Sequence, residues 1–247
     1  MLFAGMKKEA ALFEEIVNNR RSIRIYDDKA PFDESSVSRS LDRALLAPNS
    51  SNLQLWEFYR VKSKDKKEEL AKYCLGQNAA KTANELIVFV TRKDKWKEHA
   101  AFVLAESKKD FPAVLGKRHK LIVDYYTKVI PAMYFSDPAD ITGGLKKIAS
   151  TLGGAFQPVP RQVTATDMRI VVHKSVALAA QTFMLSMQAE GYDTCPMEGF
   201  DSARVKKFLN LPRAAEICMI VSVGKAKPEG IYGRRVRIPR EEVIFEL

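Results

Sequence analysis

The sequence predicts an α+β fold, with a central sheet packed between helices, and at 247 residues the chain could form one large domain or two small ones. Three observations point there. Leu86-Ile87-Val88-Phe89-Val90 and Ile217-Cys218-Met219-Ile220-Val221-Ser222-Val223 are continuous apolar runs of strand length, as expected where both faces of a strand are covered. Trp56-Glu57-Phe58-Tyr59-Arg60-Val61 alternates and is aromatic, which reads as a third strand. Arg169 to Glu190 is rich in Ala, Leu, Met and Val and apolar on several sides, so it reads as a central helix with Gly191 behind its C-terminus.

The other elements follow in order. Leu12, Phe13, Ile16 and Val17 recur at helical spacing and end in Arg20-Arg21-Ser22-Ile23-Arg24. Asp33 is placed to cap a helix from Glu34 to Ala47, with Val37, Leu41, Ala44 and Leu45 as its buried stripe and Pro48 as its stop. A short helix is expected over 65–75 and a charged one from about Lys95. Lys117 to Tyr134 reads as helical, with Leu121, Ile122, Tyr125 and Val129 on one side. From Phe135 to Thr166, Pro138, Gly143, Gly144, Gly153, Gly154, Pro158 and Pro160 signal irregular structure, so an insertion or lid is expected over about 107–167. Ser202 to Leu209 is a short helix. The tail after Gly224 has no helix pattern and ends in Val243-Ile244-Phe245, which favour a strand.

Composition narrows the class. Hydrophobic residues are 46% and charged residues 28%, the balance of an ordinary globular domain large enough to hold itself together without disulfide or metal staples. The apolar piece Met1–Met6 is too short for a signal peptide and its charges follow it, and Met6 is an alternative start. Cys74, Cys195 and Cys218 are odd in number and far apart, which fits the reducing cytoplasm. The net charge of +10 invites a nucleic-acid reading, but Lys and Arg are spread along the chain, and a pocket for a phosphorylated small molecule explains them equally well.

Several chemistries drop out. His99, His119 and His173 have no partner at metal-ligand spacing, and no Cys-x-x-Cys or His-Glu-x-x-His pattern occurs, so no metal site is expected. The Gly-x-Ser-x-Gly elbow, the Walker loop and the Gly-x-Gly-x-x-Gly fingerprint are also missing. A reactive group would then have to come from outside the chain. Four stretches suit a cofactor with a phosphate at one end and a flat polar ring at the other. Arg20 to Arg24 offers guanidiniums shaped for phosphate. Pro48 to Asn52 offers compact donors and acceptors. Cys195-Pro196-Met197-Glu198-Gly199 reads as a tight loop, where Gly199 lets backbone approach a planar ring. Arg234, Arg235 and Arg237 form a second basic cluster. Taken singly, each reads as well as a helix end, a solvated turn, a helix-to-strand connection or a basic tail.

Their order and wording resemble the nitroreductase family of FMN-dependent oxidoreductases. Arg20-Arg21-Ser22-Ile23-Arg24-Ile25-Tyr26 is similar to the family's opening Arg-Arg/His-Ser-x-Arg/Lys-x-Phe/Tyr. Ala47-Pro48-Asn49-Ser50-Ser51-Asn52-Leu53-Gln54-Leu55-Trp56 resembles Ala-Pro-Ser-x-x-Asn-x-Gln-Pro-Trp. Gly191-Tyr192-Asp193-Thr194-Cys195-Pro196-Met197-Glu198-Gly199-Phe200-Asp201 matches Gly-x-Asp-x-x-Pro-Ile/Met-Glu-Gly-Phe-Asp, and Arg235-Val236-Arg237-Ile238-Pro239 matches Lys/Arg-x-Arg-x-Pro.

The resemblance implies roles. Arg20, Ser22, Arg24, Arg235 and Arg237 would hold the FMN phosphate and ribityl chain, with Arg21 beside them through its backbone. Pro48, Asn49, Ser50 and Asn52 would come from the other subunit of a homodimer. Glu198 and Gly199, on a loop with Pro196 and Met197, would put backbone N–H groups near the flavin N5, and Asn78 or Gln77 would face the pyrimidine edge. No side chain need act as a catalytic acid, base or nucleophile. The resemblance also implies a single domain over 1–247 with a mixed central sheet, and the tail from about 225 to 247 would be exchanged across the dimer. There are departures: Asn49 stands for Ser, Leu55 for Pro, and Ser175 for a Gln common at the start of the long helix. Ser107 to Asp167 has no counterpart in these motifs. The function implied is transfer of hydride from NAD(P)H through flavin N5 to a small acceptor such as a nitroaromatic or quinone, by a ping-pong cycle. The alternatives are a flavin protein with other chemistry (dehalogenation, azoline oxidation or flavin fragmentation) and a non-catalytic basic binding module. The implied partners are a second copy and a small-molecule acceptor, with no nucleic acid or membrane.

Overall fold

The structure is a computed structural model that describes residues 7–137 and 139–247. The readings that fall on Met1–Met6 and on Pro138 lie outside those residues. Four strands form one sheet: β1 (Trp56–Val61), β2 (Glu85–Thr91), β3 (Asp193–Met197) and β4 (Glu216–Gly224), in the order β1-β2-β4-β3. Neighbouring strands all run antiparallel, with Phe58 opposite Phe89, Val88 opposite Ile220 and Pro196 opposite Val221. The sheet's parallel component among the described residues is a single bridge, Ser22 to Thr194, on the outer side of β3.

Helices cover both faces, which explains the unbroken apolar run in β2. Ile87 and Phe89 point into one core with Val37, Phe183, Met187, Val221 and Val223. Leu86, Val88 and Val90 alternate into a second core with Leu70, Cys74, Ala80, Val205 and Ile220. The first is built on α2 (Glu34–Ala44), α5 (Trp96–Lys108) and α9 (Ala165–Ala189); the second rests on α3 (Lys64–Tyr73), α4 (Asn78–Lys81) and α10 (Ser202–Phe208). Full burial of each large apolar side chain is worth about 1.5–3 kcal/mol, so this double-sided core dominates the stability.

At 25 residues, α9 is long and apolar enough to cross a membrane by composition, yet it lays Val172, Val176, Ala179, Phe183 and Met187 against the sheet. It starts at Ala165, four residues before the expected Arg169, because Thr164 and Asp167 form a reciprocal capping box. Its end is as expected: Gly191 follows with φ +79°, the left-handed conformation that glycine adopts freely.

Four expectations are corrected. The stretch expected to be irregular over 135–166 contains α8 (Ile141–Gly153), whose start is held by Asp137. The Asp137 carboxylate accepts from the Thr142 hydroxyl and from the N–H groups of Thr142 and Ile141, and these bonds hold its pKa well below the usual carboxylate range. Four glycines lower the helix propensity of this stretch without preventing the helix. Cys195, Pro196 and Met197, read as a loop, are strand residues of β3, and Pro196 is tolerated because β3 lies at the sheet edge. Val243-Ile244-Phe245 has strand propensity but no neighbouring strand, and it stays exposed and irregular. The helix after Asp33 ends at Ala44, ahead of Ala47. Between α5 and α8 lie α6 (Lys117–Asp124), a π turn (Tyr125–Val129) and α7 (Ile130–Tyr134), which run as one rod over the expected 117–134.

Candidate functional site

The chain just after α1 (Lys8–Asn19) is docked on the sheet by the residue pattern the sequence singles out. Tyr26 is buried, its hydroxyl bonded to Ser222 Oγ at 2.9 Å, and its ring lies where a Cβ on Gly224 would come within 2.8 Å. The Ile23 N–H donates to Thr194 O and the Arg24 N–H to Gly230 O, while Lys227 N–H donates back to Ile25 O. Residues 20–26 thus run between β3 and the start of the tail. This placement brings the first basic stretch against the last, although more than two hundred residues separate them in sequence.

Arg20, Arg21, Arg235 and Arg237 gather around one spot. Burial, then Arg235, Arg237 and Arg21, push the Arg20 pKa below its ordinary value, and no carboxylate is among the groups acting on it. Among the described residues none of these four, nor Arg24, takes part in an ion pair. Uncompensated guanidiniums held together at this density are a site for a multivalent anion. Two of them also hold backbone. Arg235 donates to Asn18 O at 2.8 Å and Arg20 O at 2.6 Å, closing the end of α1, and Arg21 donates to Gly233 O at 2.6 Å. Arg24 lies over the Tyr232 ring at 5.8 Å. Cys195, which the motifs leave without a role, lies beside this cluster. Burial raises its thiol pKa, against the opposing pull of Arg24 and Arg20.

At the other end of β3 the chain leaves the sheet at Glu198 and Gly199, both exposed. Gln77, the residue before α4, donates to Gly199 O at 2.7 Å and Cys74 O at 3.1 Å. A Cβ on Gly199 would come within 3.2 Å of that amide nitrogen, so a residue without one suits the close approach. Of the two candidates for the ring edge, Gln77 is the one that reaches this loop; Asn78 opens α4 and is exposed. Glu198 also borders a cavity of about 300 Å³ lined by Arg169, His173, Lys174, Cys218 and Met219. Glu216 anchors that wall, accepting from Arg169 Nε at 2.5 Å and pairing with His173 Nε2 at 3.0 Å. Burial and the Glu198 carboxylate push the Cys218 thiol up to about 11. Histidine and glutamate forty-three residues apart carried no signal in the sequence.

Pro48, Asn49, Ser50 and Asn52 are elsewhere in the same protomer. They precede β1, whereas Arg20–Arg24 and the Glu198 loop adjoin β3, at the opposite edge of the sheet. Three strand spacings, about 14 Å, separate those edges. Asn49 Oδ1 accepts from Gln54 N at 2.8 Å, and the Ser50 N–H donates to Ser175 Oγ at 3.2 Å. Ser175, standing at the family's glutamine position, therefore fastens this loop to α9.

A model of the nitroreductase family matches residues 17–225. The chain belongs to the nitroreductase family. Membership makes the protein an oxidoreductase. MhqN of Bacillus subtilis (strain 168) is 27% identical over 234 residues, covering 95% of this chain and 98% of that one. A Thermus thermophilus protein named NADH dehydrogenase is 26% identical over 226 residues, covering 92% and 91%. Among solved structures, ydfN from Bacillus subtilis superposes with a TM-score of 0.73 at 25% identity, over 96% of this nitroreductase and all of that chain. A structure from Exiguobacterium sibiricum 255-15, in complex with FMN, has a TM-score of 0.66 at 22% identity, over 95% and 97%. The expected α+β fold is thus the family's fold.

Proposed function

We propose that this nitroreductase is an FMN-dependent oxidoreductase that uses NAD(P)H to reduce a small acceptor, acting as a homodimer in the cytoplasm. The observation that carries the reading is the arginine cluster without a carboxylate, brought together from both ends of the chain. A phosphate there would relieve the repulsion between the guanidiniums. Arg20, Ser22, Arg24 and Arg237 would hold the phosphate and ribityl chain. Arg235, whose guanidinium also closes α1, would add its charge, and Arg21 its backbone. Pro196 and Met197 set the course of the chain into Glu198 and Gly199, whose N–H groups would face the ring nitrogen, while Gln77, with Asn78 next to it, backs that loop. Bound FMN would supply two-electron chemistry, taking hydride at N5 from NAD(P)H and passing it to a nitroaromatic, quinone or similar acceptor in a ping-pong cycle.

The chain's own contribution is placement. It fixes the anionic end, aims backbone donors at the ring and shapes the cleft, and no side chain acts as a nucleophile. Because Pro48, Asn49, Ser50 and Asn52 lie at the far edge of the sheet, they would complete the site of a second copy. The exposed tail from 231 onward would wrap that copy. Residues 1–247 form one domain in this reading, with 107–167 as its covering segment, and three free cysteines suit a reducing compartment. The test is oxidation of NADH or NADPH by the FMN-loaded protein with a quinone or nitroaromatic acceptor. Turnover with parallel double-reciprocal plots is expected. Bound FMN without turnover would favour a flavin protein of different chemistry.

A further inference from the structure

The loop that follows Pro48 is strained. Ser51, Asn52 and Gln54 have φ of +58°, +52° and +50°, so three non-glycine residues within four positions occupy the left-handed region. Each costs on the order of 1 kcal/mol or more, and such conformations persist only where surrounding structure enforces them. Within the loop, Asn52 N–H donates to Asn49 O at 3.3 Å, Leu53 N–H to Ser50 O at 3.2 Å and Gln54 N–H to Asn49 Oδ1 at 2.8 Å. Two further bonds reach Ser51 from outside the loop. The Tyr126 hydroxyl donates to Ser51 O at 3.0 Å, and the Tyr125 hydroxyl meets Ser51 Oγ at 2.7 Å. The two phenols thus grip one residue through its backbone and its side chain at once. They are the first two residues of the π turn between α6 and α7, and their rings stand edge to face with centroids 5.4 Å apart. π turns inside helices are rare and recur at functional sites.

We propose that Tyr125 and Tyr126 are positioning residues, which help hold the loop of residues 50–54, with Ser51, Asn52 and Gln54 left-handed, so that Asn49, Ser50 and Asn52 are presented to the cofactor bound by a second copy of the chain. The clamp is read from the hydrogen bonds; its purpose rests on the function proposed above. It gives the rod over 117–134, which the family motifs leave without a role, a task at a distance from its own protomer's arginine cluster. Without the two hydroxyls the loop would spread over more populated backbone basins. Cofactor affinity would then fall in proportion to the fraction of loops still correctly shaped.

The test is the double variant Tyr125→Phe/Tyr126→Phe, which keeps both rings and removes both hydroxyls. Amide hydrogen exchange at residues 50–54 should quicken about tenfold while exchange in β2 and β4 is unchanged, and FMN should bind about tenfold more weakly. Dimers mixed by co-expression with an Arg20→Ala/Arg237→Ala chain, isolated through two tags, should recover wild-type affinity at one of their two sites. In that site an intact arginine cluster meets an intact loop from the other copy, and a merely structural role for the tyrosines would produce no such recovery. Exchange at 50–54 within about twofold of wild type would overturn the clamp. Faster exchange with unaltered FMN affinity, or mixed dimers without recovery, would overturn its purpose. A wild-type protein that binds no FMN would instead overturn the proposed function and leave the exchange result to judge the clamp.

Discussion

Arg20 is a residue whose charge the fold tolerates rather than rewards. Its pKa is lowered by burial and by three neighbouring guanidiniums, so removing it should weaken anion binding without weakening the fold. Arg20→Ala and Arg237→Ala are each expected to cost about 1.5–3 kcal/mol of FMN binding, the scale of a hydrogen bond to a charged group. A fluorescence titration measures this, and a thermal melt of the cofactor-free protein should show no loss. Arg235→Ala should differ, lowering the melt as well, because it also releases Asn18 O and Arg20 O. Unchanged FMN affinity in any of these variants removes that residue from the site. Motif wording made the arginines legible in the sequence. Which of them also close a helix was not, because a guanidinium's choice between backbone and ligand depends on contacts two hundred residues apart.

Among the elements, the α2–α9 contact makes a prediction of its own. Glu190, at the end of α9, accepts from Arg39 Nη2 and Arg43 Nη1, both at 2.6 Å, and these bonds lower its pKa to about 2 from an ordinary 4.5. With the folded pKa depressed, the unfolded chain binds more protons between those values, so stability rises with pH across that window. The contribution is fully present above about pH 4.5 and is lost as pH falls through about 2. Glu190→Gln should flatten this slope in urea melts taken across the window, and an unaltered slope would show that the carboxylate's partners are equally available in the unfolded chain. Elements with one physical signature were legible. β2 is apolar throughout because two cores meet on it, and α9 is apolar on several sides because it packs along the sheet. β3 was hidden by Pro196, which a sequence reading treats as a strand breaker but an edge strand accepts. Glycines concealed α8, although Asp137, four residues ahead of its first turn, was its visible starting signal.

For the whole molecule, the chain on its own leaves much apolar surface uncovered. Leu12, Phe13 and Val17 on α1, Leu178 on α9, and Ile231, Val236, Ile238 and Phe245 in the tail are all more than 40% exposed. A patch this extended usually marks an interface. Light scattering at micromolar concentration should therefore give twice the chain mass, and removing residues 231–247 should shift the protein toward monomer. A full-length monomer would leave the loop before β1 and the arginine cluster on opposite edges of one sheet, with no way to share a ligand. The most direct measurement is the visible spectrum of the purified protein, with the flavin released on denaturation identified by chromatography. Yellow protein that releases FMN rather than FAD is the expected result; a colourless protein that takes up no flavin when FMN is added would contradict the assignment.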